Sequence, residues 1–466
     1  MQNSGDAPIS PLVLDPAQEK ALISKVNWRL IPLLFFCYII AYIDRINVSF
    51  AKLHLQEVLK VDPAVFNSVY GLGAGLFFIG YFIFEVPSNL ILHRVGARVW
   101  IARIMIVWGF VSMAFMFIQS TMMFYVMRFL LGAAEAGFFP GVVRYLTYWY
   151  PHRERASTIA LFALGGVLAG VVGSPISGAI LGMNGMAGLA GWQWLFLIEA
   201  IPAVLMGFVV LAILPNRPRD AAWLTAAEKQ WVQARLDDDA AQVTTHQHHS
   251  LRDAFTSGRI WLFCLLYFLM NVGGYGYELW APTIVQDFAS IIDAIIGFIQ
   301  RSSLPNWLKS FLSARAFLVG ILNAIPYLIA GIAMIFVGRY SDRSGERRWP
   351  VAIAAITSAV GFGLSAYFTN PYLALAALAL AFAGIKSTIA PLWALATAFL
   401  AGPAAAGGIA LINSVGNLGG YAGPHLVGVI KDKTGSNLAA LLFLGAALFC
   451  MGLLALTIRP AQARKG

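Results

Sequence analysis

The chain has 466 residues, of which 59% are hydrophobic and 12% charged, with a formal net charge of +10. Soluble domains carry roughly 25% charged residues, so this chain lacks the charge to cover a water-facing surface, and a soluble enzyme or regulator is excluded. Its basic residues are scattered through short loops rather than gathered in a polar module, which excludes a nucleic-acid-binding face and fits the positive bias of cytoplasmic loops.

Residues 1–29 are polar, with Pro8, Pro11 and Asp15, and lack the apolar core of a secretory leader. They read as a cytoplasmic tail, so the first span is expected to direct its own insertion. Apolar runs of about 20 residues follow, the length that crosses a hydrocarbon core roughly 30 Å thick. They are rich in Leu, Ile, Ala and Gly and show no period-two alternation. Helices are therefore predicted, since a helix satisfies its own backbone polar groups inside lipid.

The predicted spans are 30–50, 66–90, 99–119, 122–146, 157–182 and 193–214, then 259–287, 315–338, 350–368, 371–400, 405–429 and 438–458. The expected fold is an all-α polytopic membrane protein of about twelve spans. Two six-helix bundles, 30–214 and 258–458, are joined by a polar connector at 215–257, and a tail follows at 459–466. Cys37, Cys264 and Cys450 lie within apolar runs and have no disulfide or metal spacing.

Loop charge sets the expected orientation. One side collects Lys20, Lys25 and Arg29, Arg94 and Arg98, Arg153 and Arg155, then Arg217, Arg219, Arg235 and Arg252. The same side takes Arg339, Arg343, Arg347 and Arg348, and finally Arg459, Arg464 and Lys465. Both termini are therefore expected in the cytoplasm of a cell whose inner or plasma membrane holds the chain. His246, His248 and His249 sit in the connector, where a solvated linker is the preferred reading over a metal site. Residues 289–312 mix Asp293, Arg301 and Lys309 with Ile, Phe and Trp, and are expected to form an amphipathic insert on the outer surface.

The two halves show an internal repeat. His93-Arg94-Val95-Gly96-Ala97-Arg98 follows the second span and Asp342-Arg343-Ser344-Gly345-Glu346-Arg347 the eighth; from 93 to 342 is 249 residues. The Gly/Pro-rich segments around Pro175 and Pro424, in the fifth and eleventh spans, are also 249 residues apart. One offset relating two landmarks indicates duplicated halves.

These landmarks resemble the major facilitator superfamily. Asp342-Arg343-x-Gly345-x-Arg347-Arg348 is similar to its signature loop, whose aspartate is replaced by His93 in the first half, and Arg128-x-x-x-Gly132 is similar to its second signature. Tyr42-Ile43-Asp44-Arg45-Ile46-Asn47, Glu85-Val86-Pro87-Ser88-Asn89 and the segment Gly132–Gly141 resemble the anion:cation symporter family of galactonate, hexuronate, tartrate and phthalate carriers. The resemblance implies rocking of two bundles around a central site. It also implies proton coupling by an acid on each of the first and fourth helices, here Asp44 and Glu135, with the adjacent Arg45 serving the anion.

The residues themselves carry a parallel reading. Ionisable groups inside a bilayer are costly unless they face a polar interior, so each is a functional candidate. Tyr38, Tyr42, Arg45 and Ser49 share one helical face, as do Arg128 and Glu135, while Asp44 lies about 100° around from Arg45. Arg45 offers a fixed planar fork for a carboxylate. Asp44 and Glu135 can exchange protons, with Arg128 as a cation beside them. Static ion pairs Arg128–Glu135 and Asp44–Arg45 are the alternative.

Candidate substrate contacts in the second half are Asn271 and Tyr275, with Glu278 on their face, then Lys386, Ser387 and Trp393, and Asn413 and Asn417; Tyr81 joins them from the second span. Amides and phenols suit hydroxyls and Trp393 suits a ring, although bonds between helices account for the same residues. Lys386 either contacts the anion, snorkels or pairs with Glu278. Glu85 and Glu199 are expected to anchor helix ends or loop arginines. Arg94, Gly96, Arg98, Asp342, Arg343, Gly345 and Arg347 are expected to latch the cytoplasmic side. Gly71, Gly73 and Gly75 follow no strand and read as packing residues, not a nucleotide loop.

The expected activity is proton-coupled uptake of a small organic anion by a monomer without cofactor or metal and with no enzymatic chemistry. Tartrate, a sugar acid and an aromatic carboxylate remain open. The alternatives are a proton-coupled exporter, since Gly173-Ser174-Pro175 is similar to part of an antiporter signature, and a non-transporting receptor.

Overall fold

The computed structural model describes residues 15–244, 256–399 and 403–458; the connector histidines, Arg252 and the residues after Ile458 lie outside them. The first span begins earlier than its apolar run predicts. Helix α1, Pro16–Ile46, starts at a capping box in which Asp15 accepts from the Gln18 amide and Gln18 answers the Asp15 amide, with Pro16 preset for the first turn. Residues 16–29 are thus a helical extension of the span. It is tied by Lys25 at 2.8 Å to Glu228 of α9, Ala226–Thr244, in the connector.

Asn47 interrupts the first span, and α2, Val48–Leu59, completes it. The second and third spans are α3, Phe66–Val95, and α4, Ala97–Ala114. The fourth is also broken. Helix α5, Thr121–Glu135, ends where Gly137 takes φ +85°, a left-handed conformation that glycine adopts without penalty, and α6, Phe138–Leu146, resumes. Helices α7, His152–Leu181, and α8, Gly191–Ile213, finish the first half.

The second half opens with α10, Gly258–Glu278. The predicted span 259–287 is shorter than expected, because the chain turns at Leu279 and Trp280 before α11, Ala281–Gln286. Two short helices, α12, Ala289–Arg301, and α13, Asn306–Leu312, fill the 289–312 segment. Then come α14, Arg315–Ser344, α15, Arg348–Tyr367, and α16, Pro371–Phe399. A broken pair, α17, Pro403–Asn417, and α18, Gly419–Thr434, precedes α19, Asn437–Leu456.

Among the described residues, eleven helical segments are long and apolar enough to cross a membrane. The α17–α18 pair is too rich in glycine and asparagine to count by composition. It nevertheless packs along α10 and α3 and occupies the place of a twelfth crossing. The surface has lipid as its solvent: Phe110, Phe208, Phe336 and Ile353 are all more than half exposed.

Pairing repeats between the halves. Helix α1 packs on α7, α3 on α5 and α4 on α8; correspondingly α10 packs on α17 and α18, α14 on α16 and α15 on α19. The halves meet where α7 crosses α14 and where α3 crosses α18. These contacts are tight at the face opposite the termini. Helix α3 has no side-chain cap of its own, so Asp432 of α18 reaches across to accept from the Ser68 amide at 2.6 Å and the Asn67 amide at 3.2 Å. Lys52 sits 4.2 Å from the Trp280 ring centre and between Phe66 and Tyr70, a cation boxed by aromatic faces from both halves.

A Cβ on Gly320 would stand 2.3 Å from the Ser174 carbonyl oxygen, and one on Gly178 the same distance from that of Ala316. Gly320→Ala is therefore expected to wedge α7 from α14 on this face. Faster labelling of an Ala316→Cys reporter by a water-soluble maleimide measures the opening; an unchanged rate contradicts it.

Candidate functional site

Between the halves lies a cavity of about 430 Å³ including its open mouth. Arg45 of α1 is the cation in its wall, with Tyr38 two turns before it on the same helical face and Phe77, Phe78 and Tyr81 on α3 beside it. Tyr267 and Tyr275 of α10 and Asn413 and Asn417 of α17 supply the opposite wall. Both halves therefore contribute.

Arg45 is held from three directions. Its guanidinium pairs with the fully buried Glu135 of α5, and it donates to the Tyr275 hydroxyl at 3.1 Å. The Phe77 and Tyr81 ring centres lie 5.3 and 5.5 Å from the guanidinium carbon, with faces that favour a cation. Nε of Arg45 and Oε2 of Glu135 have no partner. The pair is thus incompletely satisfied, with Arg45 in the cavity wall and Glu135 buried behind it.

A second charged group stands beside the first. Tyr42 donates to both oxygens of Glu278 at 2.8 Å and accepts from Lys386 at 3.0 Å, and Lys386 lies 2.7 Å from Glu278. Of the three roles open to Lys386, pairing with Glu278 is the one found. The group links α1, α10 and α16, and its charges cancel. Arg45 and Glu135 also cancel, so neither pair carries a net charge into the wall. An anion that enters brings a charge these two pairs do not offset.

Arg128 and Glu135 do not pair, although seven residues apart on one helix. Arg128 turns to the α3 backbone, donating to the carbonyls of Ala74 at 3.1 Å and Gly73 at 3.4 Å, and lies over Phe77. Gly132 permits this approach of α5 to α3, since a Cβ there would be 1.9 Å from the Phe77 carbonyl oxygen. Asp44 and Arg45 do not pair either. Asp44 is fully buried away from the cavity, accepting from Ser112 of α4 and from Asn47.

Of the expected contacts, Tyr38, Arg45, Tyr81, Tyr275, Asn413 and Asn417 line the cavity. Tyr42, Lys386 and Ser387 lie buried behind the wall, Trp393 stacks edge-on against Tyr267 at 5.1 Å, and Asn271 donates to the Gly416 carbonyl at 3.0 Å. Phe77, Phe78, Phe139 and Tyr267 complete the lining and were not among the expected residues. Helical spacing held the signal for two: Phe77 is four residues before Tyr81, and Tyr267 eight before Tyr275.

Two acids expected at helix ends are placed otherwise. Glu85 accepts from Asn413 at 2.6 Å and Ser414 at 3.1 Å, joining α3 to α17 across the halves. Glu199 accepts from Ser177 at 2.6 Å inside the first half. The signature-loop residues bond within their own halves: Arg98 to the Leu211 carbonyl and the Asn216 side chain, Arg347 to Asp342 and Ser341. Gly96 and Gly345 turn their loops at positive φ, and Arg94 and Arg343 lie in the last turns of α3 and α14. Among the described residues no group of three or more His, Cys, Asp or Glu side chains is placed to hold a metal ion.

The family model of the Major Facilitator Superfamily matches residues 34–290 and 287–466. A protein of Agrobacterium vitis named "Putative tartrate transporter" is 44% identical over 440 residues, 94% of this chain and 92% of its own. The "Quinolone resistance transporter" of Acinetobacter baumannii is 41% identical over 92% of this chain and 93% of its own. A partially occluded inward-open structure of the xylose transporter XylE from E. coli superposes with a TM-score of 0.71. It covers 94% of this chain and 98% of that one at 14% identity, which is a likeness of fold.

Proposed function

The chain belongs to the Major Facilitator Superfamily, and from that premise we propose that this membrane transporter is a proton-coupled symporter taking up a small organic anion across the cell membrane, with both termini in the cytoplasm. The observation that carries the proposal is the buried Arg45–Glu135 pair at the cavity wall. A substrate carboxylate competes with Glu135 for the Arg45 fork. Protonation of Glu135 ends its claim and leaves the guanidinium to the substrate. Proton and anion then enter together, with no net charge added to the site.

At 4 Å and an effective dielectric constant of 20, one charge pair is worth about 4 kcal/mol. An anion held by Arg45 alone gains on that scale, while an anion facing an ionised Glu135 loses most of it. Asn413, Asn417, Tyr38 and Tyr81 supply uncharged groups for substrate hydroxyls or a ring. Lys386, Ser387, Trp393 and Asn271 shape the wall from behind, and Asp44 is a second site for the coupled proton. The name of the Agrobacterium vitis relative supports a carboxylate cargo.

Export is the second reading, supported by the name of the Acinetobacter relative. Proteoliposomes holding the full chain decide between them. With an acid exterior, labelled tartrate, galactonate or phthalate should accumulate inside if symport operates. Accumulation only with an acid interior supports proton-driven exchange, and no response to either gradient contradicts proton coupling.

A further inference from the structure

A second polar cluster lies inside the first half, between α1, α4, α7 and α8. Asp44 accepts through Oδ1 from the Ser112 hydroxyl and from Asn47 at 3.3 Å. Glu199 accepts through Oε1 from the Ser177 hydroxyl at 2.6 Å, lies against Asn47 and is within electrostatic reach of Asp44. Asp44, Asn47 and Ser112 are fully buried; Ser177 is 2% and Glu199 5% exposed. Three oxygens of this cluster have no partner: Asp44 Oδ2, Asn47 Oδ1 and Glu199 Oε2.

Buried acceptors are nearly always hydrogen-bonded, and here each of these three residues keeps one oxygen without a partner. One proton changes that balance. Placed on either carboxylate, it turns an acceptor into an O–H donor and removes one of two like charges held in apolar surroundings. A metal-like cation is less suited, because Asp44 also has the Arg128 guanidinium within electrostatic reach, together with Glu135. Arg128 therefore supplies a cation within electrostatic reach of Asp44 when the proton leaves.

We propose that Asp44, Asn47 and Glu199 form one proton-holding unit, in which Glu199 of α8 shares with Asp44 a proton that travels with the anion. The inference rests on the symport reading and extends it to a residue outside the cavity. Asn47 is the bridge. It sits at the junction of α1 and α2, three residues after Asp44, with its amide on the Ile43 carbonyl at 2.9 Å and its own carbonyl taken by Ala51 at 3.0 Å, so its side chain is held at a fixed place beside Asp44. The proton enters by forming an O–H bond on one carboxyl and leaves by breaking it, and nothing is oxidised or reduced.

The test uses full-length chain in proteoliposomes, with whichever of tartrate, galactonate and phthalate the wild type accumulates. Acid-gradient-driven uptake and counterflow exchange are measured against external pH for wild type, Glu199→Gln and Glu199→Asp. One coupled proton gives about tenfold per pH unit of gradient. Glu199→Gln is expected to lower the ratio of gradient-driven uptake to counterflow by about that factor, and Glu199→Asp to restore the response with a displaced midpoint. A wild-type ratio and pH profile in Glu199→Gln overturns the inference, as does equal loss of counterflow in both variants, the mark of a packing role. If the wild type itself ignores the gradient, the symport reading fails instead.

Discussion

Arg45→Ala is expected to abolish measurable binding of the carboxylate while leaving a chain that still folds. The cavity wall contains this one guanidinium; behind it Lys386 is tied to Glu278 at 2.7 Å and Arg128 to the α3 carbonyls of Gly73 and Ala74. Removing one partner of a buried charged contact costs roughly 2–5 kcal/mol, or a loss of about 30-fold or more in affinity. Arg45→Lys separates charge from shape. It keeps the cation but not the planar fork that can hold substrate and Tyr275 together, so a smaller loss is expected. Because Arg45→Ala also strands Glu135, the double variant Arg45→Ala/Glu135→Ala should be no better at binding, yet more stable to heat than the single variant. Calorimetric titration with the accumulated carboxylate reads the affinity. Wild-type affinity in Arg45→Ala would move the anion site elsewhere.

Glu135→Gln is expected to separate exchange from accumulation. Glutamine still reaches Arg45 but neither gains nor loses a proton, so it holds the site in the neutral form. An inward gradient of one pH unit stores about 1.4 kcal/mol per proton, enough for about tenfold accumulation of a singly charged anion. In the variant, accumulation should fall to the equilibrium level, while exchange of labelled for unlabelled anion remains detectable. The sign is fixed by the mechanism. Uptake by the wild type rises as the exterior is acidified, because protonation of Glu135 is what frees Arg45. Accumulation that persists unchanged in Glu135→Gln would remove Glu135 from the coupling path.

The fold was largely legible in the sequence because its cause is local. Twenty-residue apolar runs, Arg-rich short loops and a repeat at a fixed offset each follow from the bilayer and from duplication. The eleventh span, 405–429, is legible as an apolar run, yet its glycines and asparagines make it the least apolar of the set. Those glycines serve contact instead: a Cβ on Gly428 would be 2.2 Å from the Asn67 carbonyl oxygen, and one on Gly420 would clash with Phe78. The early start of α1 was missed because its first turns are held by a cap and by the connector rather than by lipid.

The site was legible as a set of residues and less so as a set of pairs. Same-face spacing grouped Tyr38, Tyr42, Arg45 and Ser49, but only Tyr38 and Arg45 reach the cavity. Tyr42 is drawn to Glu278, and Ser49 lies past the Asn47 break, where its hydroxyl returns to the Ile46 carbonyl at 2.6 Å. Arg45 finds Glu135 90 positions away, a partnership that no helical period encodes. Periodicity says which side a residue faces; which neighbour it meets depends on helix breaks and on how closely glycines let two backbones approach.

Proton uptake by the purified chain tests the central exchange at Arg45 most directly. In weakly buffered solution near neutral pH, with an indicator dye, saturating anion is added to protein in detergent. The account predicts that protons disappear from solution as the anion binds, and that Glu135→Gln takes up fewer. Anion binding with no change in proton count in the wild type would contradict it.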